Sequence, residues 1–142
     1  MFKLEDCFAF IARNSSKIFA NELESRLKKH NTTLSQWFVL YYVNQYEGLT
    51  QRELANHMSI TEPSTGRLVG DMEYDGYLDR KQEDHDLRIK TLALTEKGKK
   101  LYKKLEPIVV KFKNDTVAGI DENELSVIRR VLDQMVANVL KE

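Results

Sequence analysis

Residues 49–78, LTQRELANHMSITEPSTGRLVGDMEYDGYL, constrain this chain most, because they hold two helix starts either side of one tight turn. Thr50 is followed three residues later by Glu53, the pairing that closes a capping box, and Leu49, Leu54, Ala55 and Met58 recur at helical spacing. After the turn at Ser59 and Ile60, Thr61 can accept from the free amides of a second helix. Pro63 lies in the first turn of that helix, where a missing N–H costs least. The second helix is therefore predicted from about Glu62. Leu68, Val69 and Met72 form its buried stripe, Ser64, Thr65, Arg67 and Asp71 lie on other faces, and Gly76 suits a left-handed end.

Two short helices joined this way predict a helix-turn-helix, whose second helix enters the major groove with its N-terminal residues against base edges. Ser64 and Thr65 are short enough to let the backbone approach a duplex and can bond phosphate or bases, and Arg67 can reach a phosphate or a guanine edge. The same spacing is open to a second reading, a core helix hairpin that touches no nucleic acid.

A chain of 142 residues is one domain's worth, and no stretch reads as a secretion signal or a bilayer span, so a cytoplasmic protein without a membrane partner is expected. The single cysteine, Cys7, excludes an internal disulfide framework; it is either a small helix residue or a thiol open to oxidation. Basic and acidic residues balance at 22 each, which gives nucleic-acid binding no support from net charge. Their distribution gives more. Residues 79–104 carry nine basic and five acidic side chains, a local excess of four, beside the helix-turn-helix and within an otherwise acidic chain. An ordinary solvated helix face would look the same.

From Leu4 to about Lys29, Phe8, Ile11, Ala12, Ser15, Ile18, Phe19, Leu23 and Leu27 follow a helical period. Phe2, Leu4, Phe8 and Phe10 crowd the start of this helix with more apolar surface than a small monomer uses, which predicts burial against a second copy. Arg13 in its middle is either a snorkelling surface residue or a cation facing a pocket. Thr33 or Ser35 caps a second helix rich in Trp37, Phe38, Leu40, Tyr41 and Val43; its aromatic residues are core, or the lining of a small-molecule cavity.

Beyond the helix-turn-helix, residues 77–81 and 89–94 read as two strands joined by the polar tip QEDHDLR, a hairpin of the kind called a wing. Arg88 near the tip is the candidate to enter a minor groove, oriented by a charge-assisted bond to Asp86; an incidental solvated hairpin is the alternative. Thr95 caps a long helix that Pro107 should kink. Asp121 and Glu124 then box the start of a last helix whose stripe runs through Leu125, Ile128, Val131, Leu132, Met135, Val139 and Leu140. With the first helix, it is expected to form a two-fold interface.

The order of these elements resembles the multiple-antibiotic-resistance regulator (MarR) family of winged-helix transcription factors over nearly the whole chain. The resemblance rests on residues 49–78 and on the wing segment DLRIKTLALTEKG, with Asp86, Arg88, Lys90, Leu92, Leu94, Thr95 and Gly98. It implies a mainly α fold with a small β-hairpin wing, a winged helix-turn-helix dimerised through its N- and C-terminal helices. Residues 33–98 would form the DNA-binding part, and residues 1–32 and 105–142 the dimerisation helices. It implies a homodimer that regulates transcription on double-stranded DNA with a pseudo-palindromic operator, most simply a repressor released by a small anionic or aromatic effector. The DNA contacts would come from Ser64, Thr65, Arg67, Asp86, Arg88 and Lys90, and the effector site from Arg13, Trp37 and Tyr41.

Glu62 and Asp71 depart from the expectation by placing negative charge on a helix that approaches phosphates, and Gly66 and Gly70 weaken that helix by about 0.5 to 1 kcal/mol each relative to alanine. The oxidation-sensing branch of the family has tyrosine partners near its cysteine. Here the neighbours of Cys7 along the helix are Phe8, Phe10 and Arg13, which speaks against a thiol-based switch, the alternative regulation. A winged helix used only to bind another protein is the other rival, and it would have no use for Arg88. No enzyme, metal site or cofactor is expected, since His30, His57 and His85 lie in separate elements without ligand spacing.

Overall fold

A computed structural model describes residues 1–141. A 3-10 turn (Leu4–Asp6) precedes α1 (Phe8–Lys28), α2 (Leu34–Gln45), α3 (Gln51–Met58), α4 (Glu62–Tyr74), β1 (Leu78–Gln82), β2 (Lys90–Leu94), α5 (Glu96–Val117) and α6 (Glu122–Leu140). Two compact units divide the chain between Val109 and Val110.

Most helix starts are those their capping residues dictate. Thr33 with Gln36, Thr50 with Glu53 and Asp121 with Glu124 each close a capping box, and Thr61 accepts from Ser64 N ahead of Pro63. The cap of α2 is thus Thr33 rather than Ser35. The first helix begins four residues later than its apolar period suggests, because Cys7 is extended (φ −89°, ψ 112°) and separates Leu4–Asp6 as a turn of its own. Pro107 lies inside α5 without ending it.

The core of the first unit gathers Leu23 and Leu27 from α1, Trp37, Val39, Leu40 and Val43 from α2, and Leu54, Val69, Met72, Leu78, Leu92 and Leu105 from the elements that follow. Each fully buried leucine contributes about 1.5 to 3 kcal/mol relative to an exposed one. A stack of rings adds to the contact of α3 with α2: the His57 imidazole lies between Tyr42 and Tyr46, with centroids 4.8 and 5.0 Å away.

The two strands pair antiparallel, Leu78 opposite Leu94, Arg80 opposite Leu92 and Gln82 opposite Lys90. Leu92 N also donates to the Leu49 carbonyl at 2.8 Å, and Thr50 bridges Thr91, so β2 lies between β1 and the residues that enter α3. The root of the hairpin is thereby tied to the helix-turn-helix. At the other end, Gly76 takes a left-handed φ of +86°, and the Thr95 hydroxyl donates to its carbonyl while accepting from Gly98 N at 3.0 Å.

In the second unit, no described residue of α6 is buried, and Ile128, Leu132 and Val136 stand exposed at four-residue spacing along one face. No described helix is long and apolar enough to cross a membrane.

Candidate nucleic-acid interface

The turn between α3 and α4 is closed by Ser59 in the left-handed region (φ 55°) and by Ile60 N donating to the Ala55 carbonyl at 3.1 Å. Within α3, Glu53 accepts from Thr50 N at 3.0 Å, and this bond, more than any other cause, holds its carboxyl below the ordinary carboxylate range. α4 packs inward through Thr65, Val69 and Met72. Its outward face presents Ser64, Arg67 and Asp71. The Ser64 hydroxyl accepts from the Thr61 hydroxyl at 2.9 Å and from Arg67 Nη2 at 3.4 Å, so a short polar chain runs over the first turn of the helix.

The wing tip is ordered by one carboxylate. Asp86 Oδ1 accepts from Arg88 N and Nε, and Oδ2 accepts from Arg88 Nη2, all at 3.0 Å. The bonds from the Arg88 side chain are the largest cause that lowers the Asp86 carboxyl below its usual range, and the same pairing raises the guanidinium. The Arg88 side chain is exposed and Asp86 half-buried, so the pair shapes the tip more than it stabilises the fold.

A groove of about 630 Å³ separates this tip from the starts of α3 and α4, lined by Thr50, Gln51, Arg52, Glu62, Asp86, Arg88, Ile89 and Lys90. Three cations and two carboxylates face it. Glu62, the unfavourable charge at the start of α4, is partnered by Arg52 at 3.4 Å, which offsets part of its repulsion for an incoming phosphate.

The sequence pattern of the MarR family matches residues 30–89. Along nearly the whole length, the chain is 30% identical to the transcriptional regulator PA3341, covering 96% of this chain and 100% of that one with a TM-score of 0.84. The chain belongs to the MarR family. It is similar to the HTH-type transcriptional regulator BilQ of Clostridium symbiosum, 25% identical over 93% of this chain and 92% of BilQ. Its fold also matches the S. aureus MepR–DNA complex, with a TM-score of 0.86 at 23% identity over 93% of this chain and 98% of MepR. It is a MarR-family transcriptional regulator, a DNA-binding protein with a winged helix-turn-helix.

On this MarR scaffold one of the expected DNA contacts is corrected. Thr65 is wholly buried, and its hydroxyl donates to the Thr61 carbonyl at 2.9 Å, so it cannot reach a base. The physical reason is helical phase: Thr65 precedes Val69 and Met72 by four and seven residues and shares their inward face, while Leu68 is only half-buried. Thr65→Val keeps the shape, and Thr65 N still donates to the same carbonyl. The variant is expected to lose no more than about 1 kcal/mol in a denaturant titration, with its base preference unchanged.

The expected effector residues are only partly assembled. Trp37 is buried and its ring stacks on Tyr102 at 5.2 Å and 11°, while the partly exposed Tyr41 ring lies 6.3 Å away, tilted by 42°. A ligand ring reaches the stacked face of Trp37 only by displacing Tyr102. The Tyr102 phenol is pushed up to about 12, first by burial and then by donating to the Glu106 carboxylate at 2.9 Å. Arg13 stands exposed on α1, and Cys7 is a half-buried free thiol. Among the described residues no group of three or more His, Cys, Asp or Glu is placed to hold a metal ion.

Sequence reasoning passed over Arg80 and Gln51. Arg80 Nη1 donates to Gln51 Oε1 at 3.1 Å and to the Gly66 carbonyl at 3.5 Å, and Nη2 donates to Glu73 at 3.2 Å. The available signal was strand phase. Arg80 is two residues beyond the buried Leu78 and opposite the buried Leu92, an inward position where a cation needs partners.

Proposed function

We propose that the protein is a cytoplasmic, homodimeric repressor of a pseudo-palindromic operator, with residues 33–98 reading DNA and residues 1–32 and 105–142 holding the dimer. Ser64 and Arg67 of each protomer read the major groove. Arg88, oriented by Asp86, enters the flanking minor groove, and Lys90 faces the backbone. The observation that carries this reading is the groove that brings Arg52, Arg88 and Lys90 of α3 and the wing beside the start of α4. A two-fold operator complex needs its two recognition helices about 34 Å apart, one turn of DNA. A small anionic or aromatic ligand releases the operator by pairing with Arg13 and entering beside Tyr41 and Trp37, where Tyr102 must swing aside. The adjacent aromatic rings of α2 support that part of the reading.

The test is fluorescence anisotropy on a duplex selected by the wild-type protein from a random library, against a scrambled duplex, over a range of salt. Arg67→Ala is expected to cost about 1 to 3 kcal/mol on the selected duplex and to relax preference at one base pair. Arg88→Ala is expected to weaken binding to both duplexes, most at narrow minor grooves, and to lower the salt slope by about one. Unchanged binding by both variants would remove these assignments, and a folded wild-type dimer that selects no duplex would favour a protein-binding winged helix.

A further inference from the structure

The sequence treats Gly66 and Gly70 as weak points in the recognition helix. In the structure they lie beneath the side chains of Gln51 and Arg80. Gly66, Gly70 and Glu73 lie on one face of α4, at four- and three-residue spacing, and that face receives the guanidinium that β1 directs inward. A Cβ on Gly70 would lie 3.7 Å from Arg80 Nη2, and a Cβ on Gly66 would lie 3.2 Å from the Gln51 amide nitrogen. The Arg80 fork thus fastens three elements at once: Gln51 at the start of α3, the Gly66 carbonyl and Glu73 of α4, and its own strand at the root of the wing. Its side chain is 23% exposed, and two of its partners are side chains whose geometry a lysine cannot satisfy together.

We infer that Arg80 is a positioning residue for DNA specificity, locking the recognition helix at a fixed angle to the first helix and the wing so that both grooves are read in register. This rests on the proposal that α4 and the wing read DNA. All three of Arg80's bonds run inward to the protein, so it acts through Ser64, Arg67 and Arg88 and adds no phosphate contact. That distinguishes it from an ordinary basic residue of the wing. Glu73 has a second part here: its charge, unfavourable near DNA in isolation, is consumed in holding the fork.

The experiment uses the full-length protein and the wild-type-selected and scrambled duplexes. Arg80→Gln is expected to lower the ratio of selected to scrambled affinity by at least about ten-fold, the scale of one mismatched base pair, while the salt slope stays within about half a unit of wild type. Glu73→Ala, a substitution on a half-exposed helical position that alanine favours, provides a second route to the same lock without touching Arg80. It is expected to move the ratio in the same direction, and the double variant to be no worse than Arg80→Gln alone, because both cut one network. A ratio unchanged in both folded variants, an additive double variant, or a salt slope reduced by a full unit overturns the inference. If the wild type selects no duplex, the DNA reading itself falls and takes this inference with it; a wild type that discriminates beside variants that do so equally sinks the inference alone.

Discussion

In the homodimer proposed above, replacing Leu132 and Val136 together by glutamate is expected to separate the protomers and to lower affinity for a two-half-site operator by about 10² to 10⁴-fold. Both side chains stand exposed on one face of α6, at 44% and 55%, in a helix that buries none of its described residues. An amphipathic stripe of this kind leaves a contiguous apolar surface in water, and a two-fold partner is the economical way to cover it. Four charges across such an interface remove that cover. Each monomer would then engage one half-site without the effective concentration that the linked second site provides, and that loss sets the magnitude. Because both positions are already solvent-facing in the single chain and glutamate is a good helix former, α6 itself should survive. Sedimentation velocity and circular dichroism check the two halves of the expectation. A variant that stays dimeric would assign the interface to other residues, first among them the exposed Phe2, Phe8 and Ile18 of the N-terminal segment.

Gly98→Ala is expected to be the most damaging small substitution, lowering stability by about 3 kcal/mol and the melting temperature by roughly 10 °C. A Cβ on Gly98 would come within 2.2 Å of the Tyr77 carbonyl oxygen and 3.1 Å of its carbon. These are backbone atoms with no rotamer to adjust. The Tyr77 carbonyl also accepts from Thr95 N at 3.1 Å, and Gly98 N donates to the Thr95 hydroxyl, so movement of either segment breaks the cap of α5. The wing starts and ends at this junction. A thermal melt measures the stability, and a DNA titration at low temperature should show weakened operator binding in the fraction that remains folded. A melting temperature within a degree or two of wild type would mean that the junction relaxes more easily than its contacts suggest.

The elements themselves were legible because their signals are local. A threonine hydroxyl or aspartate carboxylate three residues before a Glu or Gln satisfies amides within the same turn, so Thr50 and Asp121 marked their helices without reference to anything distant. The wing followed in the same way from alternation and a polar tip, and Asp86 reached Arg88 two residues away as its position suggested. Cys7 shows the limit of periodicity: the apolar spacing continues through it, while its extended backbone starts α1 at Phe8.

The site was less legible, because facing is a cooperative property. Thr65 and Ser64 are chemically alike and adjacent, yet one hydroxyl is sealed against the core and the other is on the outer turn. A phase difference of about 100° separates them, and the packing of Val69 and Met72 decides its sign. Arg80 is the converse case. Read along the chain it is one more positive charge in a basic stretch; its partners are 29, 14 and 7 residues away, and only the closed fold brings Gln51, Gly66 and Glu73 to its fork.

By itself, then, the sequence determined the order of helices and strands, the caps of α3, α4 and α6, the wing and the family, because each depends on side chains that satisfy backbone groups within a few residues. Tertiary structure alone decided that Thr65 turns inward with Val69 and Met72, that Gly66 and Gly70 lie beneath the Gln51 and Arg80 side chains, and that Trp37 is covered by Tyr102, because those depend on which surfaces the chain excludes from water when distant segments close on one another.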